Sequence, residues 1–332
     1  VYKRQASGSA VILDVATGEV LAIVNQPAYN PNDRTQRDAA QYRNRAITDI
    51  LEPGSALKPL VVAAALESGQ YRVDTLVDTS PGYIQVGAKL IEDKRNHGRI
   101  DLGTLLARSS NVGATKVAMS LDPEQLYDVL TRFGLGKPSA SGFPGESAGL
   151  LSHYSNWRPI SQATLAYGYG LSMTPLQLAQ AYAIIGSGGL RRPVSLIRVE
   201  EAPIPRRVIR EDVAREVLTM LETVVGPEGT GRAANVRNYR VAGKTGTARK
   251  IAPGGYAENR FVAVFAGLAP ASAPRLAAVV VVDDPRGDEY YGGTVSAPVF
   301  AQIMEGALRI LAVPPDNFVV EDSTATFAAR AE

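Results

Sequence analysis

The stretch Pro53-Gly54-Ser55-Ala56-Leu57-Lys58-Pro59 places a serine and a lysine three residues apart at the predicted start of a helix. Residues three apart lie on one face of a helix, so the two side chains are expected to meet. The helix start also leaves free backbone N–H groups, which can stabilise a developing negative charge. A serine can be activated without histidine when a neutral lysine takes its proton. Ser55 is therefore the candidate nucleophile, and Lys58 is its candidate base.

A second lysine segment bears on whether Lys58 can be neutral. A lysine of ordinary pKa, about 10.4, is protonated at neutral pH, and burial or a nearby cation lowers that pKa. Lys244-Thr245-Gly246-Thr247 can supply the cation, and the apolar residues before it predict an edge strand. Gly246 would let a substrate backbone approach that strand closely. Taken alone, the segment is also compatible with an ordinary edge strand.

Between these two segments lies Ser109-Ser110-Asn111, the one Ser-x-Asn in the chain. It follows a predicted helix over 102–108, and Asn111-Val112-Gly113 interrupts the helical pattern. Ser109 could pass a proton between Lys58 and a leaving group, while the Asn111 amide could donate to a substrate carbonyl. Taken alone, the segment is better explained as a helix junction capped by Ser and Asn.

The order of the three segments decides between these interpretations. Ser-x-x-Lys, then Ser-x-Asn, then Lys-Thr-Gly-Thr is the signature shared by penicillin-binding proteins and class A β-lactamases. Requiring all three in this order leaves well under about 1% for coincidence at average composition. The chain therefore resembles the transpeptidase domain of a class B penicillin-binding protein.

Further segments resemble the septal type of that family, penicillin-binding protein 3, and the resemblance extends from about residue 9 to about residue 315. The segments are 43–49 followed by 52–55, the loop 142–146, and 168–179, which in the family backs the active site. One residue departs from the septal pattern. Ala56 follows the nucleophile where septal enzymes more often carry Thr, so drug affinity is expected to differ from theirs.

The resemblance implies a serine acyl-transfer mechanism. Ser55 would attack the carbonyl between the last two D-alanines of a peptidoglycan stem peptide, with Lys58 as base. Ser109 and Lys244 would relay the proton. Backbone N–H groups of Ser55 and Thr247 would form the oxyanion hole. An amine of a neighbouring stem peptide would then take the acyl group, and β-lactams would trap Ser55 as a stable ester.

The resemblance also implies substrate-binding residues around this centre. The Thr245 and Thr247 hydroxyls, helped by Lys244, would hold the terminal carboxylate beside Gly246, and Asn111 would orient the peptide. Tyr290 and Tyr291 occur where family members place aromatic residues that pack on bound ligands. For this pair, an aromatic contact that closes a β-turn is the alternative interpretation.

Strand-like sequence occurs at both ends of the chain, and helical spacing lies between. Apolar runs predict strands at 9–15, 20–24, 261–268 and 276–282, and helical spacing covers 102–119, 123–133, 174–185, 211–225 and 294–311. This predicts an α+β fold in which an antiparallel sheet packs beside a helical lobe. The resemblance implies a penicillin-binding protein/serine β-lactamase-like transpeptidase fold, with a five-stranded sheet flanked by helices plus an all-helical lobe.

We expect one transpeptidase domain over 1–332. Its sheet subdomain would cover about 1–50 and 236–313, its mainly helical subdomain about 51–235, and a polar tail 314–332. Residues 159–190 carry no charge, but their Gln, Ser, Pro and Gly residues predict buried structure rather than a membrane span.

Composition excludes several other classes of function. The 35 Lys+Arg against 33 Asp+Glu leave a net charge of +2, which gives no reason to expect a nucleic-acid partner. The chain has no Cys and only two histidines, His97 and His153, so no metal site and no cofactor are expected. Gly145-Glu146-Ser147-Ala148-Gly149 matches the G-x-S-x-G elbow, but no predicted strand precedes it, so a Gly/Pro loop is predicted there.

The resemblance also predicts location and partners. The chain starts at Val1 without a signal peptide, and family members carry a transmembrane helix and a pedestal domain before this domain. We therefore expect a periplasmic domain of a single-pass inner-membrane protein. A membrane glycan polymerase and division proteins would bind through those other regions, and the domain itself is expected to be monomeric.

Three rival functions share parts of this chemistry. A serine β-lactamase needs a second base for fast deacylation, and the chain has Ser110 where class A enzymes carry Asp in this motif. A D,D-carboxypeptidase differs only in accepting water instead of an amine, so the motifs leave it open. A non-enzymatic β-lactam sensor would lack the septal-type segments.

Overall fold

The structure is a computed structural model that describes residues 5–33, 35 and 39–318. It has an α+β fold in which a five-stranded antiparallel sheet packs against helices, which confirms the predicted fold class. Of the predicted polar tail at 314–332, residues 319–332 lie outside the described range.

The strands are β1 (Ser7–Asp14), β2 (Val20–Gln26), β3 (Val77–Asp78), β4 (Tyr83–Val86), β5 (Lys89–Glu92), β6 (Arg99–Ile100), β7 (Leu190–Arg191), β8 (Arg206–Arg207), β9 (Ala242–Ala252), β10 (Gly255–Ala269) and β11 (Leu276–Asp283). The helices are α1 (Arg45–Thr48), α2 (Lys58–Glu67), α3 (Leu102–Arg108), α4 (Asn111–Ser120), α5 (Pro123–Arg132), α6 (Pro159–Leu165), α7 (Pro175–Gly186), α8 (Glu211–Val225), α9 (Gly292–Val295) and α10 (Ala297–Ile310). A 3-10 turn, Gly54–Leu57, leads directly into α2.

The central sheet joins the two ends of the chain. Its strand order is β2-β1-β11-β10-β9, and every neighbouring pair is antiparallel. Ser9 pairs with Val281, and Val281 pairs with Val264, so the first hairpin is continuous with the C-terminal strands. β9 carries Lys244 and lies at the edge, as predicted. An edge strand leaves one row of backbone N–H and C=O groups unpaired by its own sheet.

Helices cover both faces of this sheet. Successive strand residues point to opposite faces, so Val279 packs in the core shared with α7, while Val280 packs with Phe300 of α10. α8 also contacts β9 directly. Strands buried on both faces need continuous apolar sequence, which accounts for the Val-rich run of β11. Because α7 and α8 pack on the sheet, the division into a sheet and a helical subdomain stays a prediction.

α2 is the helix that carries the candidate base. Every residue from Lys58 to Leu66 is buried, as expected for a helix that is apolar on all sides. Lys58 is the exception to this apolar pattern. Burying an amine is unfavourable unless it is neutral or has hydrogen-bonding partners. The position of Lys58 therefore requires an explanation from its surroundings.

The helical spacing over 102–119 belongs to two helices rather than one. α3 ends at Arg108, the residue after it, Ser109, has a left-handed φ of 59°, and α4 begins at Asn111. The interruption predicted at Asn111-Val112-Gly113 was therefore placed two residues too late. Ser110 caps α4 by accepting the Gly113 N–H at 2.8 Å, so Ser110 and not Asn111 is the capping residue.

Residues 77–100 contain short strands that the sequence pattern did not indicate. β4 and β5 form a hairpin, and β3 pairs with β6. Val86 and Ile91 pack with Ala163 in a small separate cluster. Strands of two to four residues are too short for a periodic pattern to reveal. The hairpin ends at Glu92, next to the Ser109–Asn111 turn.

The charge-free residues 159–190 form α6, α7 and their connections, and α7 is almost wholly buried. Among the described residues, no helix combines the length and the apolar character needed to cross a bilayer.

Candidate active site

Lys58 Nζ lies where the Ser55–Lys58 segment meets the Ser109–Asn111 segment. It contacts the Ser109 carbonyl oxygen at 2.5 Å, Ser109 Oγ at 3.2 Å and Asn111 Oδ1 at 2.8 Å. The carbonyl and amide oxygens can only accept, whereas the Ser109 hydroxyl can also donate. A neutral amine can therefore donate two N–H bonds and accept the Ser109 proton on its lone pair. This geometry allows a proton to pass between Lys58 and Ser109.

The surroundings favour the neutral form of Lys58. The side chain is fully buried, and burial lowers its pKa well below the ordinary lysine value. The charge of Lys244 lowers this pKa further, whereas the Asp93 carboxylate opposes the shift. Burial also lowers the pKa of Lys244, to about 7. Desolvation and a second cation, the two effects expected from the sequence, are both present.

Ser109 has a left-handed backbone, with φ 59° and ψ 40°. Residues with a Cβ adopt this conformation at a cost of about 1–2 kcal/mol. Its consequence is that the turn presents both the Ser109 carbonyl and its hydroxyl to Lys58. Backbone conformations of this kind concentrate at functional sites.

Ser55 is half-buried on the 3-10 turn that leads into α2. Because it is the second residue of that turn, its N–H has no acceptor within the helix. The turn lies against β9: a Cβ built on Gly54 would be 3.1 Å from the Thr247 carbonyl oxygen and 3.3 Å from the Thr247 nitrogen. The backbones of Ser55 and Thr247 are thus neighbours. None of the three Lys58 hydrogen bonds described above goes to Ser55.

Gly246 lies against the 3-10 turn that carries Ser55. A Cβ built on it would overlap the Pro53 carbonyl oxygen and lie 3.3 Å from Ala56 Cβ. From the sequence we expected a substrate backbone to approach Gly246 closely. In the structure, the turn that carries Ser55 makes the close approach. Gly168 backs the same turn from another side, where it accepts the Gly54 N–H at 3.3 Å.

The two threonines of the third segment have different surroundings. Thr245 is buried, and its hydroxyl is 3.0 Å from that of Thr230. Thr247 is half-buried, and its Oγ1 accepts the Gly292 N–H at 3.0 Å, which leaves its own proton available to an anion. Lys244 Nζ lies 3.4 Å from the Thr245 carbonyl oxygen. Thr230 was not predicted, because it lies on a loop after α8 with no periodic signal.

Tyr290 and Tyr291 immediately precede Gly292, and they differ in their contacts. Tyr290 stacks on Phe261 with ring centroids 4.1 Å apart and planes at 15°, and it donates to the Tyr291 hydroxyl at 3.0 Å. Lys94 Nζ lies 4.0 Å from the centroid of the Tyr291 ring. Tyr290 therefore fits the packing interpretation. Tyr291, which is 38% exposed, remains the candidate ligand contact.

Glu52 begins the 52–55 segment, but the sequence did not predict it as a site residue. Its Oε1 accepts the Gly170 N–H at 2.8 Å and the Tyr256 hydroxyl at 2.9 Å, and burial raises its pKa. Its carboxyl group, just before the 3-10 turn that carries Ser55, thereby contacts the loop between α6 and α7 and the strand β10. On the far side of Glu52 lies a cavity of about 270 Å³ that Ser55 does not line.

Asp93 was also missed. It directly follows β5 and is half-buried, with its carboxylate against the Ser110 hydroxyl and the backbone N–H groups of Asn111 and Val112. No motif marks an isolated acidic residue at this spacing, so the sequence offered no signal for it.

The G-x-S-x-G match lies in a loop, as predicted. Residues 137–149 contain neither helix nor strand, and Ser147 Oγ accepts the Gly149 N–H at 3.3 Å. His153 hydrogen-bonds Ser155 at 2.9 Å and packs on Tyr154.

The fold, and the buried Lys58 in contact with Ser109 and Asn111, are those expected of a serine acyl-transfer domain that uses lysine instead of histidine. Comparisons with known proteins agree with that class. The family model "Penicillin binding protein transpeptidase domain" matches residues 8–305. The chain therefore belongs to the penicillin-binding protein transpeptidase domain family, as the motifs predicted.

Individual relatives point to the septal type. The chain is 45% identical to peptidoglycan D,D-transpeptidase FtsI of Escherichia coli K12, over 97% of this chain and 54% of that protein. It is 43% identical to the probable peptidoglycan D,D-transpeptidase PenA of Neisseria meningitidis, over 95% and 54%. It thus spans about half the length of these curated relatives.

A solved structure shares the same fold. It is the apo structure of the TP domain of Burkholderia pseudomallei penicillin-binding protein 3, with a TM-score of 0.86 and 43% identity. The match covers 94% of this chain and 90% of that one. The septal, penicillin-binding protein 3 resemblance is thereby confirmed.

Proposed function

We propose that this domain is a serine-type D-Ala-D-Ala transpeptidase that cross-links peptidoglycan stem peptides during septal wall synthesis. The observation that carries the proposal is the contact of buried Lys58 with both Ser109 and Asn111. It joins the candidate base to a proton relay and to the amide that would hold the substrate. The named D,D-transpeptidase relatives support the same reaction.

In the acylation step, neutral Lys58 accepts the Ser55 hydroxyl proton as Oγ bonds to the carbonyl carbon of the penultimate D-alanine. Negative charge develops on the carbonyl oxygen, where the N–H groups of Ser55 and Thr247 stabilise it. The C–N bond then breaks. The proton travels from Lys58 through Ser109, with Lys244 beside the path, to the departing amine of D-alanine.

In the second step, an amine of another stem peptide attacks the acyl ester. Its proton returns to Ser55 Oγ as the ester bond breaks, and a new amide remains. A β-lactam would acylate Ser55 in the same way. Its leaving nitrogen stays attached through the opened ring, so the ester blocks the acceptor.

The third segment would bind the terminal carboxylate of the substrate. Thr247 accepts from Gly292, so its hydroxyl proton can point to an anion, and Lys244 and Thr245 lie next to it along β9. Asn111 would hold the peptide amide, and Tyr291 would pack on the ligand. Gly246 keeps the strand close to Ser55.

The hydrogen bonds of the two nearby carboxylates favour slow deacylation, as in a transpeptidase, over the fast deacylation of a β-lactamase. Asp93 is engaged by backbone N–H groups of α4, and Glu52 by Gly170 and Tyr256. Neither is hydrogen-bonded to Ser55 in the described chain. A base positioned to drive water onto the ester is what fast deacylation requires.

We also propose a location and partners for the longer protein. The curated relatives are nearly twice the length of this chain, which fits a domain that acts in the periplasm as part of an inner-membrane division protein. A membrane glycan polymerase and other division proteins would contact the remaining regions, and this domain would be monomeric. Its ligands would be stem peptides ending in D-Ala-D-Ala and β-lactam antibiotics.

The test is transfer in vitro. The domain is incubated with a peptide ending in D-Ala-D-Ala and an excess of an acceptor D-amino acid, and products are separated by mass spectrometry. We expect D-alanine release together with acceptor-linked product, both absent from Ser55→Ala. Release to water alone would replace the proposal with carboxypeptidase activity, and release by Ser55→Ala would overturn the mechanism.

A further inference from the structure

Asp93 makes three hydrogen bonds to the beginning of α4. Its Oδ1 accepts the N–H of Asn111 at 2.5 Å and of Val112 at 3.1 Å, and its Oδ2 accepts the Ser110 hydroxyl at 2.5 Å. Asp93 is 18 residues from Asn111 in sequence and belongs to the segment that follows the β4–β5 hairpin. One carboxylate thus spans the whole turn that follows Ser109.

The same segment also holds the side chain of Asn111. Asn111 Nδ2 donates to the Glu92 carbonyl at 3.3 Å, while Oδ1 accepts from Lys58 at 2.8 Å. These two bonds fix which way the amide faces. Glu92 and Asp93 together therefore constrain both the backbone and the side chain of the residue that meets Lys58.

Capping alone does not account for this arrangement. Ser110 already caps α4 by accepting the Gly113 N–H, and its own hydroxyl donates to Asp93. Charged acceptors form roughly twice as strong hydrogen bonds as neutral ones. The carboxylate accepts from Asn111, which contacts Lys58, and from Ser110, which follows the other Lys58 partner, Ser109. Small displacements of such groups can cost about a hundredfold in rate.

Asp93 is also one of the charged groups around Lys58. Lys244 on β9 opposes protonation of Lys58, and the Asp93 carboxylate favours it. His97, on the same segment as Asp93, is another titratable neighbour, and Lys58 and Asp93 act on its pKa in opposite directions. Removing the Asp93 charge is therefore expected to lower the pKa of Lys58 further.

We propose that Asp93 is a positioning residue for acyl transfer, which sets the Ser109–Asn111 turn in the geometry that Lys58 requires. The proposal rests on the proposed transpeptidase function. Asp93 touches neither substrate nor Ser55 in this role, and it acts through Ser110 and Asn111.

The first experiment compares Asp93→Asn with Asp122→Asn. Asp122 caps α5 through the Glu124 N–H at 2.8 Å, so it is an Asp of similar local role outside the site. The second-order rate constant for acylation by a fluorescent penicillin is measured, and the melting temperature of each variant is recorded. We expect Asp93→Asn to slow acylation by about tenfold to a hundredfold, and Asp122→Asn to stay within about twofold of the parent.

The pH dependence separates positioning from simple destabilisation. Acylation requires neutral Lys58, so the rate falls on the acid side of its profile. Asp93→Asn should move that acid limb to lower pH, whereas a folding defect would leave its position unchanged. A folded Asp93→Asn with parental rate and unchanged limb would overturn the proposal.

A second pair keeps the test decisive if Asp93→Asn does not fold. Ser110→Ala removes the bond to Asp93 Oδ2 and keeps the carboxylate, and Asp122→Ala is its capping control. Ser110→Ala should slow acylation several-fold (about threefold or more) with the acid limb unmoved. Equal rates in the two variants would contradict the proposal. If penicillin does not acylate the parent protein itself, the result would instead contradict the proposed function.

Discussion

Lys58 Nζ and Asn111 Oδ1 are 2.8 Å apart, although 53 residues separate them in sequence. The bond joins the N-terminus of α2 to the N-terminus of α4, and Ser109 contacts the same amine from the adjoining turn. Two helix starts thus meet at one buried amine. The proposed chemistry depends on this junction, because it holds the amine against Ser109, its partner in the proposed proton relay.

Gly246→Ala should impair both folding and acylation. The new Cβ would overlap the Pro53 carbonyl oxygen, so the turn that carries Ser55 must move away from β9. We expect a loss of about 1–3 kcal/mol in the free energy of unfolding, measured by denaturant titration, and slower acylation by penicillin. Gly306→Ala is the control, since nothing lies within 4 Å of its Cβ and helix α10 should tolerate it. Equal stability of the two variants would contradict the packing described for Gly246.

Lys244→Met should move the acid limb of the acylation profile to higher pH. Burial is the main cause of the low Lys58 pKa, and the positive charge of Lys244 lowers it further. Without that charge the pKa of Lys58 rises, so a higher pH is needed for the neutral base. Rates measured from about pH 5 to about pH 10 would show the shift even if the maximum rate falls. An unmoved limb would mean that the two lysines do not interact as described.

Ser109→Gly and Ser109→Ala should separate the hydroxyl from the backbone conformation. Both variants lose the proton relay, so both should slow acylation by about a hundredfold or more. Only Gly relieves the left-handed φ of 59°. The Gly variant should therefore be more stable, with a free energy of unfolding about 1 kcal/mol above that of the Ala variant. Full activity of either variant would remove Ser109 from the mechanism.

Tyr290→Ala and Tyr291→Ala should have different effects. Tyr290 stacks on Phe261, so its loss should lower the melting temperature and cost about 1 kcal/mol of stability. Tyr291→Ala should weaken the initial non-covalent binding of penicillin, with little change in the acylation rate constant at saturation. Stopped-flow measurements over a range of penicillin concentrations distinguish the two constants. Unchanged binding in Tyr291→Ala would leave the pair as a purely structural contact.

Long apolar elements and short polar motifs were predictable from the sequence for different reasons. The hairpin β1–β2 and the bounds of α8 follow from apolar patterns over many residues. The three segments with Ser55, Ser109 and Lys244 follow from residue type and order. Neither signal depends on long-range contacts.

Residues that act through tertiary contact were not predictable. Asp93 and Thr230 meet the site through turns that have no pattern of their own. Glu52 reaches Tyr256 across 204 positions of sequence. The break between α3 and α4 was placed too late because the left-handed residue is Ser109, a conformation that sequence normally assigns to Gly or Asn.

The most direct test of Ser55 as the nucleophile is intact-protein mass spectrometry after incubation with a penicillin, followed over hours for the parent protein and Ser55→Ala. We expect a one-to-one covalent adduct that persists in the parent and is absent from Ser55→Ala. An adduct on Ser55→Ala, or none on the parent, would contradict Ser55 as the nucleophile. An adduct that disappears as penicillin is consumed would contradict the slow deacylation expected of a transpeptidase.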